Sequence, residues 1–101
     1  MVVAIFRSRV RPEHVEEYYR LADQMAEIAS AMPGFISWKG YVAEDGERVS
    51  IHEWASAEEL AAWRNHPEHV KMQALGRVRF YDEYTLYVCD APRTSRFPQP
   101  S

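Results

Sequence analysis

The pair Asp45-Gly46 lies between two runs rich in β-branched and aromatic residues, 35–43 and 47–54, and marks the middle of this chain as an antiparallel hairpin. Any fold must be built outward from that turn. Upstream, Val15, Tyr18, Tyr19, Ala22, Met25, Ala26, Ala29 and Met32 recur at steps of three and four, with Glu13, Glu16, Glu17, Arg20, Asp23 and Glu27 between them. This spacing predicts an amphipathic helix from Pro12, stopped by Pro33-Gly34. Residues 2–10, ahead of it, have the composition of a strand. Downstream, Ser56-Ala57-Glu58-Glu59 forms a capping box that opens a second helix. Asn65-His66-Pro67-Glu68 breaks that helix, because proline cannot continue the hydrogen-bond ladder but suits the first turn of a new segment reaching Gly76. Residues 78–89 read as the last strand, with Val78, Phe80, Tyr84, Leu86 and Val88 on one face and Tyr81, Tyr87 and Cys89 on the other.

The resulting order, β-α-β-β-α-β, predicts an α+β ferredoxin-like domain: a four-stranded antiparallel sheet with both helices on one face. A chain of 101 residues has room for one such domain, placed at residues 1–90 and followed by a proline-rich tail at 91–101. One surface is then left over. The first strand offers Val3 and Ile5 on one side and Val2, Ala4 and Phe6 on the other; the second offers Phe35 and Tyr41 against Ile36, Trp38 and Val42. Helices can cover only one of these apolar faces, so a homodimer packed sheet to sheet is expected.

Composition narrows the function. The net charge is −3 and no Lys/Arg cluster is present, which argues against a nucleic-acid binder. The single cysteine, Cys89, cannot form an internal disulfide or a cysteine-based zinc site. With no signal-peptide pattern and no apolar run near the ~20 residues of a membrane span, the expectation is a cytoplasmic protein without membrane association. The glycines at 34, 40, 46 and 76 are isolated, so no phosphate-cradling loop for NAD, FAD or ATP is formed. Phe, Trp and Tyr number four, three and six, an aromatic excess that must fill the core or line a hollow.

Taken with the element order, Met32-Pro33-Gly34-Phe35, the run Glu53-Trp54-Ala55-Ser56-Ala57-Glu58 and the run Trp63-Arg64-Asn65-His66-Pro67-Glu68-His69 resemble the antibiotic-biosynthesis monooxygenase domain family over residues 2–89. The resemblance implies a dimeric α/β barrel and any of several activities: cofactor-independent oxygenation of quinols or anthrones, haem degradation, lactone isomerisation, or none assigned. Trp54 matches the pocket tryptophan of the anthrone-oxidising members, whereas Ser50 and Leu60 stand where those have asparagine and tyrosine. Trp63 matches the helix tryptophan of the haem-degrading members. Strand one lacks their asparagine, however, and Gln73 occupies the position of their iron ligand, which disfavours haem degradation.

Oxygenation with no bound cofactor requires an electron-rich phenol or enol, a base to ionise it, an aromatic pocket and polar contacts to the anion. The residues that can supply these are His52 as the catalytic base, Trp54 and Trp63 as aromatic walls, and Ser50, Arg79 and Tyr84 as substrate anchors. The expected partners are a small aromatic substrate and O2, with neither cofactor nor metal. The plainer alternatives are a partly buried His52 bonded to Glu53 or Glu83, tryptophans that serve only the core, and His66 and His69 as capping and solvated residues rather than a metal pair. A non-catalytic binder, or an isomerase acting on a lactone or enol, would use the same scaffold.

Overall fold

The computed structural model describes residues 1–98; residues 99–101, the end of the expected tail, lie outside them. Four strands, β1 (Val2–Val10), β2 (Phe35–Val42), β3 (Arg48–Trp54) and β4 (Tyr81–Asp90), form one antiparallel sheet in the order β2-β3-β1-β4. A short 3-10 turn, Pro12–His14, leads into α1 (Val15–Ser30), and the second helical stretch is split into α2 (Ala57–Arg64) and α3 (Pro67–Leu75). Ser56 caps α2 by accepting the Glu59 N–H at 3.2 Å, and the Glu59 carboxylate returns to the Ser56 hydroxyl rather than to the backbone. His66 caps α3 in the same manner, its Nδ1 accepting the Glu68 N–H at 3.1 Å.

Register decides which side chains meet. Val2 opposes Trp54, Ala4 opposes His52 and Phe6 opposes Ser50, while on the other flank Ala4 opposes Val88 and Phe6 opposes Leu86. These residues share the face on which the helices pack, where Val2, Ala4 and Trp54 form the core with Met25 and Ala29 of α1 and Leu60 and Trp63 of α2. Trp54 and Trp63 are both fully buried, each removing roughly 150–250 Å² from water and making them the largest contributors to that layer. The opposite face carries Val3, Ile5, Tyr41, Val49, Ile51 and Tyr87, and its tyrosines are about half exposed.

Two irregularities correct the strand pattern read from the sequence. The last strand begins at Tyr81 rather than at Val78, because Gly76–Phe80 continue α3 as a wide π-type turn. That turn is tied to the end of β1: the Arg11 N–H donates to the Phe80 carbonyl at 2.7 Å, and the Arg11 guanidinium donates to the Val78 carbonyl at 2.9 Å. A register shift between Arg9 and Val10 then brings Tyr81 beside Phe6 and Tyr84, away from Tyr87. A second shift, between Phe35 and Ser37, places Phe35 against Trp54 and Trp38 against His52 on the helix-covered face, leaving Ile36 exposed. Among the described residues, no helix is long and apolar enough to cross a membrane.

Candidate functional site

A cavity of about 290 Å³ opens between the sheet and the helices. Its floor is Ala4 and Phe6 of β1 with Ser50 and His52 of β3; Trp38 closes one side and Leu86 and Val88 of β4 the other. Ala22 and Met25 of α1, Leu60 of α2 and Met72 of α3 form the roof. The small side chains of Ala4 and Ala22 face the same space, which leaves it unfilled. The volume sits at the lower end of the ~300–1,000 Å³ typical of small-molecule pockets, and the lining has their usual mix of apolar walls and few polar groups.

His52 is the most constrained polar group in the cavity. Its ring stacks on Trp38, with centroids 4.6 Å apart and planes 16° apart, and only 7% of the residue is exposed. The Trp54 indole Nε1–H donates to His52 Nδ1 at 2.9 Å, two residues along the same strand face. Burial, aided by the neighbouring His69, lowers the imidazole from 6.5 to about 4, so it is neutral near pH 7. A neutral imidazole has one N–H, and because Nδ1 accepts, the proton belongs on Nε2. Trp63 Nε1 is the one fully buried side-chain polar atom without a partner among the described residues. His52 Nε2 has no partner among the described residues and is not one of the fully buried atoms, so it is reached from the cavity that His52 lines. The sequence expectation casts His52 as a general base; in this geometry Trp54 engages its Nδ1, and the nitrogen left facing the cavity is a hydrogen-bond donor. Neither Glu53 nor Glu83 bonds to it; Glu53 accepts from Ser37, and Glu83 pairs with Arg9.

A second polar group descends from the helices. His69 stacks on Trp63 at 4.4 Å, and the Gln73 side-chain amide donates both to His69 Nδ1, at 3.1 Å, and to the Arg64 carbonyl, at 3.0 Å. Burial again holds this imidazole below its ordinary pKa, and the positive charge of Arg64 adds to the effect. Arg64 and Arg77 also line the cavity. On the other flank, the Tyr81 hydroxyl lies 3.4 Å from that of Tyr18, too far for a strong O–H···O bond, and burial pushes the Tyr81 phenol up.

The structure brings together three of the residues selected from the sequence, Ser50, His52 and Tyr84, on one cavity wall. It does not place the other three there. Trp54 and Trp63 are parallel, with centroids 6.4 Å apart, and lie behind the wall as core, where they orient His52 and His69 rather than line the cavity. Arg79 is turned outward by the π-type turn and is clamped to Glu17 by two bonds of 2.5 and 3.2 Å. Trp38, His69, Gln73, Arg64 and Arg77 were missed as lining residues. A usable signal existed for three of them: His69, Gln73 and Arg77 follow one another at steps of four, a single helix face. Among the described residues, no group of three His, Cys, Asp or Glu side chains is placed to hold a metal ion.

Residues 1–75 match the family model described as antibiotic biosynthesis monooxygenase. The Bacillus subtilis protein YqjZ is 28% identical over 96 residues, spanning 95% of this chain and 84% of that protein. The structure of Rv0793 from Mycobacterium tuberculosis superimposes with a TM-score of 0.82 at 23% identity, covering 94% of this chain and 98% of that one. SnoaB from Streptomyces nogalater, described as a cofactor-independent oxygenase, gives a TM-score of 0.79 at 17% identity over 97% of each chain. The latter two likenesses concern the fold.

Proposed function

Because this chain belongs to the antibiotic biosynthesis monooxygenase family, we propose that it oxygenates a small phenol or quinol with O2, the substrate itself supplying the electrons. For a phenol with a free para carbon the reaction balances as phenol plus O2 giving the para-quinone plus water, with no outside reductant. The observation that carries the reading is the neutral His52, held by Trp54 so that its Nε2–H faces a cavity walled by Trp38. In this reading His52 donates to the substrate oxygen. The donor favours the phenolate, lowers the substrate pKa and thereby produces the electron-rich anion that O2 attacks. Among the described residues no carboxylate lines the cavity, so in this reading the phenolic proton leaves through the mouth to water rather than to a resident base. Ser50 and Tyr84 add hydroxyl contacts at the same wall. The uncovered sheet face, with Ile5, Ile51, Tyr41 and Tyr87, supports a homodimer packed through it; a stable monomer in sedimentation at micromolar concentration would overturn that part.

Oxygen uptake by the full chain over a panel of one- and two-ring hydroquinones tests the reading. Uptake above the autoxidation background is expected. It should fall by about a hundredfold in His52→Asn, which keeps an acceptor for Trp54 but loses the cavity donor, and be partly retained in His52→Gln, whose amide N–H can replace Nε2–H. Binding without uptake would make the protein a binder, and proton exchange into substrate without oxygen loss would make it an isomerase; either result overturns the proposal.

A further inference from the structure

The charges around the cavity are distributed against the grain of the chain as a whole. Asp and Glu number 15 against 12 Lys and Arg, yet among the described residues no acidic side chain lines the cavity. Elsewhere five cations are matched, Arg7 with Glu47, Arg9 with Asp45 and Glu83, Arg11 with Asp82, Lys71 with Glu68, and Arg79 with Glu17, while Arg20, Lys39, Arg48, Arg93 and Arg96, which do not line the cavity, have no ion pair among the described residues. Arg64 and Arg77, which do line the cavity, have no ion pair among the described residues. Both are exposed, so they stand at its mouth, while the walls below are aromatic and aliphatic. Two unpaired guanidinium groups over an apolar slot, in an acidic protein, set up a local positive field and offer forked donors that fit a planar carboxylate.

We infer that the cavity selects a carboxylated aromatic, a one- or two-ring phenol carrying a carboxylate that Arg64 and Arg77 read at the mouth while its hydroxyl faces His52. The inference rests on the cavity being a small-molecule site, and it names the substrate class for that site. The size agrees: about 290 Å³ suits one or two rings rather than a large polycycle. The position of Arg77 follows from the π-type turn, which keeps it on the His69 and Gln73 face and sends Arg79 out to Glu17.

Calorimetric titration of the full chain under argon, with 2,5-dihydroxybenzoate and with its neutral methyl ester, tests this without relying on turnover. The acid should bind about tenfold tighter than the ester or better, and its affinity alone should weaken with added salt. Arg77→Gln and Arg64→Gln should each weaken the acid about tenfold while moving the ester less than about twofold, and Arg79→Gln should change neither. An ester that binds as tightly as the acid, or arginine variants that weaken both ligands alike, would overturn the carboxylate assignment and leave the oxygenase reading standing. Failure of both ligands to bind at millimolar concentration would overturn the small-molecule site itself.

Discussion

The neutrality of His52 has a cost that can be measured without any substrate. In the unfolded chain this imidazole titrates near 6.5; in the folded chain burial holds it at about 4. As pH falls through that window the unfolded chain takes up a proton that the folded chain refuses, so the contribution of His52 to stability declines from about pH 6.5 to about pH 4 and is flat below. At 1.36 kcal/mol per pKa unit the full loss is about 3 kcal/mol, of which about 2 kcal/mol has developed by pH 5. The residue is only 7% exposed, so solvent screening removes little of this. Urea unfolding at pH 7 and pH 5, at one protein concentration, should show the His69→Gln variant losing about 2 kcal/mol more than the same variant with His52→Asn added. The comparison is a difference of differences. Glu17 and Asp45, whose carboxyls are held low chiefly by Arg79 and Arg9, also lose their contribution as pH falls, but equally in both proteins. His69, whose charge acts on His52, is replaced by Gln in both proteins so that its titration drops out. Equal losses in the two proteins would show that His52 is not held neutral, and the assignment of its proton to Nε2 would fall with it.

Three further substitutions probe neighbouring parts of the argument. Trp54→Phe removes the donor to His52 Nδ1 and should cost about 1–3 kcal/mol by denaturant unfolding, with the cavity imidazole free to change tautomer; stability and pH dependence both unchanged would count against the Trp54–His52 bond. Gly76→Ala would be helix-favouring by backbone propensity, but an added Cβ overlaps the Tyr81 ring, so a net loss of about 1–3 kcal/mol in thermal or urea unfolding is expected, and a gain would refute the packing. Arg79→Ala, at a surface ion pair, should shift stability by less than about 1 kcal/mol and leave oxygen uptake untouched; lost uptake would return Arg79 to the site.

The sequence carried the architecture because its signals are local. Asp45-Gly46, the Ser56 cap, Pro33-Gly34 and Pro67 each act within a few residues, and they punctuate the β-α-β-β-α-β order without reference to distant partners. What failed were the details of register set by pairing between elements. Alternation along the last strand put Tyr81 with Tyr87, but the shift at Arg9/Val10 is a property of β1 and β4 together. Phe35 and Trp38, three apart, cannot share a face of a regular strand, and they do so only because β2 slips against β3. The same limit governs the site. His52 and Ser50 were legible as same-face residues of one strand, whereas the choice of Arg77 over Arg79 depended on a π-type turn whose carbonyls are held by Arg11. Trp54 and Trp63 were recognised as important by type and position, but their role as buried supports of two histidines is visible only in three dimensions.

The stacked rings also make the molecule its own optical probe. Each of its three tryptophans touches a cavity histidine: Trp38 lies flat on His52, Trp54 bonds to it, and Trp63 lies flat on His69. A charged imidazole quenches an adjacent indole by accepting an excited-state electron, and a neutral one does so far less. Emission from Trp38 and Trp54, whose histidine neighbour is His52, should therefore stay bright well below the pH at which free histidine protonates, then fall as His52 charges. Any molecule that enters against Trp38 will register in the same signal, so occupancy and protonation of the cavity can be followed in the unmodified chain.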